Sequence, residues 1–221
     1  MPSVFLLRRC QPPLQRAETI VDDMLGWQIC GSSTNLHDAR QQVQALALAP
    51  DIVASDLSLI DGPAERFAFQ MQRWPQRPQM LLLAPTADDA MLFDGLRAGA
   101  GGYCIDADGG RALRDGLEQL ADGRACMSPL IARQTLTAFG LPRTSLADAD
   151  HVAGGQDLTP LGNLLARGLF RNEHHLLSLL AHGLLSAEIG LRWRIGQSNV
   201  ERRLWRIYTK LHALYRQPEL A

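Results

Sequence analysis

The chain lacks the features that mark membrane, secreted and catalytic proteins. No apolar run in its 221 residues approaches the roughly 20 needed to span a bilayer. The N-terminus, MPSVFLLRRCQPP, places its arginines after a very short apolar stretch, the reverse of a secretory signal. Cys10, Cys30, Cys104 and Cys126 form no CxxC pair, so they read as small apolar residues in a reducing cytosol, not as zinc ligands or a disulfide framework. His174 and His175 are adjacent and cannot both face one ion on a helix, and only Glu173 stands near them and His182. Gly99-Ala100-Gly101-Gly102 precedes a strand, whereas a phosphate-cradling loop follows one. No Ser/His/Asp or Cys/His arrangement is evident. The expectation is a protein of the cytoplasm with no metal, cofactor, catalytic residue or membrane attachment.

What is present is ordinary core material and an uneven charge distribution. Hydrophobic residues make up 46% and charged residues 20%, enough for one large domain or two small ones. The net charge of −1 is misleading. From Arg171 to Arg216 there are eight Arg and Lys against three acids, a net of +5, which leaves −6 for the remainder. Such asymmetry fits a chain with one part that meets phosphates and another that does not.

The first 125 residues alternate strand and helix patterns. Strand candidates are Val4-Leu7, Trp27-Cys30, Ile52-Ser55, Met80-Leu83 and Gly102-Ile105. Helical stretches lie near Leu14-Leu25, Leu36-Leu48, Pro63-Arg73, Ala90-Ala98 and Gly110-Ala121. Five such repeats predict a doubly wound parallel sheet of five strands with flavodoxin-like order. Residues 126–157 read as a short helix, Leu130 to Phe139, and a linker rich in turn formers, Gly140 to Asp157. Leu161 to Leu169 is a helical lead-in, and residues 158–221 form the last domain.

Leu169 to Leu214 predicts a four-helix module with a helix-turn-helix: a short helix from Ala187 to Trp193, a turn from Arg194 to Gly196, and a longer helix opened by Gln197-Ser198-Asn199. Ile189 and Trp193 face inward, and Ile195, Val200, Leu204, Ile207 and Leu211 form the buried stripe. Ser198 or Asn199 can cap the long helix. Its opposite face would present Glu201, Arg202, Trp205, Arg206 and Thr209.

Order and spacing of these pieces resemble a response regulator of the NarL/FixJ type, a receiver domain followed by a LuxR-type helix-turn-helix. The matching residues are Pro50 to Leu57, Ala98 to Tyr103 and Gly123 to Pro129 in the first half. In the second they are Glu173, Leu179 to Leu184, Glu188-Ile189, Val200, Ile207-Tyr208 and Lys210-Leu211. The resemblance implies that Asp56 stands where a receiver carries its phosphate-accepting aspartate. Around it the pattern departs: Arg8-Arg9 replace the acidic pair, Ala84 the hydroxyl, and Asp106 the lysine. Arginines that stay protonated at any working pH do not hold Mg²⁺, so the site is expected to be phosphate-independent. Asp22-Asp23 imitates an acidic pair but reads as the polar end of the first helix. Arg8 or Arg9 either pairs with Asp56 or Asp106, or points to solvent.

The resemblance further implies that Glu201, Arg202 and Trp205 face base edges, with Arg202 suited to guanine. Arg203 and Arg206 are assigned to phosphate or helix packing, Arg192 and Arg194 to phosphate, and Lys210 to the DNA-binding set. The function implied is a sequence-specific DNA-binding transcriptional regulator acting on double-stranded DNA as a homodimer. The dimer interface would be the C-terminal helix through Leu211, Leu214 and Tyr215 or a face of the receiver-like domain. An unidentified small ligand or partner protein would act at that domain. The alternative is an adaptor that no longer binds DNA, which the carboxylate of Glu201 favours.

Overall fold

The computed structural model describes residues 1–86, 90–106, 110–142 and 168–216. The chain divides into two units, Met1–Gly123 and Arg124–Ala221.

The first unit is a parallel sheet of β1 (Ser3–Leu7), β2 (Gln28–Ser33), β3 (Ile52–Asp56), β6 (Gln79–Ala84) and β7 (Gly102–Ile105), in the order β2-β1-β3-β6-β7. Val4 to Leu7, Ile52 to Ala54 and Met80 to Ala84 are buried, as expected for strands covered on both faces. The crossovers are α1 (Gln11–Asp22), α2 (Leu36–Ala45), α3 (Ala64–Met71) and α4 (Ala90–Ala98), and α5 (Arg111–Ala121) follows the last strand. α1 begins earlier than its apolar pattern suggests. Pro12 and Pro13 occupy the first turn, where a missing N–H costs nothing. Asp22 ends that helix, exposed, and Asp23 caps it.

One element has no counterpart in the sequence pattern. β4 (Ser58–Leu59) and β5 (Gly62–Pro63) form a small antiparallel hairpin directly after Asp56. At its tip, Asp61 accepts the N–H groups of Leu36 (2.8 Å) and His37 (2.9 Å) and so caps α2.

In the second unit the described helices are α6 (Pro129–Ala138), α7 (Arg171–Ala181), α8 (Ser186–Arg192) and α9 (Gln197–Arg216). Ser128 caps α6 by accepting from Ile131 N–H, and α6 packs against α7. Among the described residues three helices lie within Leu169 to Leu214, and α6 packs on the first of them from upstream. Most of the expected linker, and the lead-in up to residue 167, lie outside the described residues. Ile189, Val200, Leu204, Ile207 and Leu211 form the buried stripe. No helix among the described residues is long and apolar enough to cross a membrane.

Candidate phosphoacceptor site and nucleic-acid interface

The sheet order places β1 and β3 side by side, so the residues following them meet at the carboxyl ends of the strands, where open α/β sheets bind ligands. Asp56 is the last residue of β3. Arg8 follows β1, its side chain only 6% exposed, with Nε 3.0 Å from Asp56 Oδ1 and Nη2 2.5 Å from Asp106 Oδ2. The second oxygen of Asp56 accepts the Arg9 N–H at 2.7 Å. Both carboxylate oxygens are thus engaged. Arg9 contributes its backbone, and its side chain is exposed.

The backbone holds this arrangement from both sides. Arg8 N–H donates to Ser33 O, and Asp106 N–H donates to Ala84 O. Burial alone would lower the proton affinity of Arg8, but Asp56 and Asp106 more than offset it and raise the guanidinium above the usual arginine value. Ala84 is fully buried and supplies no hydroxyl. A cleft of about 250 Å³ opens above the site, lined in part by Arg8, Arg9, Cys10, Asp56, Met91 and Asp106. A fixed organic cation thus lies between two carboxylates where a receiver would gather a divalent metal.

The turn of the helix-turn-helix is a tight helix stop. Arg194 N–H donates to Leu191 O and Ile195 N–H to Gly190 O, the paired bonds of a Schellman motif. This requires a left-handed residue, and Arg194 takes it with φ of 54°. Gly190 is needed for close approach, because a Cβ there would lie 3.0 Å from Ile195 O. Glu188 steadies the other end of α8 by accepting Leu185 N–H at 2.7 Å.

Helix α9 turns outward the stripe Ser198, Asn199, Arg202, Arg206 and Thr209, all exposed, with Trp205 half-buried at its edge. Because α9 starts at Gln197, Ser198 and Asn199 lie inside its first turn instead of capping it. Arg202 Nη1 is 3.4 Å from Asn199 Oδ1. Arg192 and Arg194 are exposed beside the turn. Arg203 is half-buried, its guanidinium 5.4 Å from the centre of the Trp193 ring, which fits the packing role.

Three expectations are corrected. Glu201 does not belong to the outward face: it is 4% exposed, accepting from Arg124 (3.0 Å) and Gln197 (2.7 Å). Lys210 is turned into the fold. Its Nζ pairs with Glu173 at 2.5 Å and lies 3.9 Å from the Phe170 ring centre. Leu211 is fully buried and cannot serve a dimer surface, whereas Tyr215 is exposed. His174 and His175 are core residues, and no group of metal-binding side chains is found among the described residues. Sequence reasoning placed Arg124 in the Gly123 to Pro129 run but missed its pairing with Glu201.

No family model matches the chain. It is 28% identical over 184 residues to the DNA-binding transcriptional activator DevR/DosR of Mycobacterium tuberculosis, covering 83% of this chain and 76% of that protein. Among solved structures, RcsB of Salmonella enterica serovar Typhimurium, bound to promoter P1flhDC with the phosphomimetic BeF3-, is 14% identical with a TM-score of 0.51. That match covers 97% of each chain. A LuxR-family two-component response regulator of Aurantimonas sp. SI85-9A1 is 22% identical with a TM-score of 0.51, over 59% of this chain and 92% of that one. In fold and in this sequence relationship the chain is similar to response regulators that join a receiver domain to a LuxR-type helix-turn-helix.

Proposed function

We propose that this chain is a cytoplasmic, sequence-specific DNA-binding transcriptional regulator whose receiver-like domain works without phosphorylation. The observation that carries it is the outward face of α9, where Arg202 and Arg206 stand exposed with Ser198, Asn199 and Thr209, flanked by Arg192 and Arg194. An arginine fork presented from a helix can donate a bidentate pair to guanine O6 and N7, while the flanking arginines meet phosphates. The relative DevR/DosR is a DNA-binding transcriptional activator, and RcsB has been seen as two dimers bound to two parallel DNAs. Those facts support duplex DNA as the ligand and a homodimer as the binding form. The unit Arg124–Ala221 carries the interface.

Independence from phosphate rests on Arg8, whose cation occupies the space between Asp56 and Asp106. The input is then a small ligand or a partner protein at the receiver-like domain. The adaptor reading loses its main support, since the Glu201 carboxylate is paired inside the fold and does not face a phosphate backbone. Electrophoretic mobility shift with genomic fragments at several salt concentrations tests the proposal. Selective retention of some fragments, with affinity falling as salt rises, is expected. Equal retention of all fragments, or none, overturns it.

A further inference from the structure

The segment that leaves the first unit is bonded along the helix that would read DNA. α5 ends at Ala121, and three residues later Arg124 Nη1 donates to Glu201 Oε2 at 3.0 Å. Ala125 N–H donates to the backbone carbonyl of the same Glu201 at 3.1 Å. Tyr208 lies two turns along the same face of α9, and its hydroxyl donates to Cys126 O at 2.9 Å. Gln197 Nε2 fixes the other oxygen of Glu201. Tyr208 is fully buried, and the Glu201 side chain is 5% exposed.

We infer that Arg124 to Cys126 form a strap clasped on α9, and that Glu201 is a positioning residue holding this strap, not a reader of bases. The inference rests on the proposed function only for the last clause. Its physical basis is that one residue of α9 engages the strap through both side chain and backbone, and a second repeats the engagement two turns on. α9 cannot rotate about its axis without breaking the Glu201 bonds. The clasp lies on the flank of α9 and leaves Arg202 and Arg206 exposed.

Hydrogen–deuterium exchange on the full chain tests the clasp in wild type, Glu201→Gln, Arg124→Ala and Arg124→Lys. Losing one charge-assisted bond should speed exchange at Ala125 about tenfold in Glu201→Gln and Arg124→Ala, with Arg124→Lys near wild type. The acceleration should be confined to residues 124–127, while α9 retains its protection. A base-preference measurement on a panel of randomised duplexes completes the test, with Glu201→Gln expected to leave the preferred bases unchanged. Unchanged exchange at Ala125 overturns the strap, as does acceleration spread evenly along α9. A shift of base preference in Glu201→Gln overturns the positioning role. If the wild-type chain selects no duplex at all, the proposed function fails while the exchange result still decides the strap.

Discussion

Arg8 and Asp56 form a close ion pair at the carboxyl ends of adjacent strands, 3.0 Å apart, with Asp106 completing the clamp on the guanidinium. The pair changes what the site can do. A phosphate-accepting aspartate needs a free oxygen and a metal to gather charge, and here both Asp56 oxygens are engaged, by Arg8 and by the Arg9 N–H. Incubation with acetyl phosphate and Mg²⁺ should leave the intact mass of the protein unchanged, and beryllofluoride should leave its oligomeric state unchanged. Stoichiometric modification of Asp56 would contradict this reading.

Removing the cation should cost stability without restoring chemistry. Arg8→Ala leaves Asp56 and Asp106 facing each other, and their side chains are 17% and 28% exposed. Full burial would put the loss at about 3–5 kcal/mol, and the partial solvent access here reduces it to roughly 1–3 kcal/mol. Urea unfolding of the full chain measures it. Arg9→Ala, which keeps the backbone bond to Asp56, should be close to neutral.

Lys210 separates a structural cation from a DNA-facing one. It pairs with Glu173, whose carboxylate also accepts the Phe170 N–H at 2.8 Å and so closes the start of α7. Lys210→Ala should lower stability by about 0.5–2 kcal/mol, discounted for its partly exposed position, and leave the salt dependence of DNA binding unchanged. Arg192→Ala should instead reduce the salt slope of DNA binding by about one.

The sheet is legible because its strands are short apolar runs separated by helical patterns, and the run Ile52-Val53-Ala54-Ser55 leads directly to Asp56. The pairing of Arg8 with both carboxylates is also foreshadowed, since the residue types at three strand ends are exchanged together. Other features leave no local trace. The β4–β5 hairpin has two-residue strands, too short for any periodicity. A helical wheel turns polar residues outward, and it misplaces Glu201 and Lys210 because their partners are distant in sequence. Arg124 lies 77 residues from Glu201, and Glu173 lies 37 from Lys210.

His175 gives the second unit a pH dependence of known sign. Burial lowers its pKa below the ordinary value of 6.5, and the neighbouring charges of His174 and Arg171 push the same way. The ring stands edge-on to Trp193 at 5.3 Å, and its Nε2 has no partner among the described residues. The folded form therefore prefers the neutral imidazole. Its contribution is fully present above the unfolded value near 6.5 and is lost as pH falls through the lower folded value. Thermal unfolding should show stability falling as pH drops from about 6.5 through that lower folded value, and His175→Phe, which keeps a ring against Trp193, should flatten this part of the profile. An unchanged profile in the variant would assign the dependence elsewhere.

Under the proposed function, Arg194 sets backbone strain against a phosphate contact in one residue. It is the non-glycine residue with positive φ among those described, at the position where a Schellman stop favours glycine. Holding an L-residue left-handed costs roughly 1–2 kcal/mol, and such strain is retained where a side chain is wanted for another purpose. Arg194→Gly should therefore raise stability by about 1 kcal/mol, since glycine relieves the backbone but adds entropy to the unfolded chain. The same variant should bind all duplexes more weakly and lose about one unit of salt slope, because a phosphate contact is gone. Arg194→Ala separates the two effects: it loses the contact equally yet keeps the strain. If Arg194→Gly is stabilised with DNA binding intact, the arginine is not a phosphate contact. If it is destabilised, the side chain supports the turn by packing.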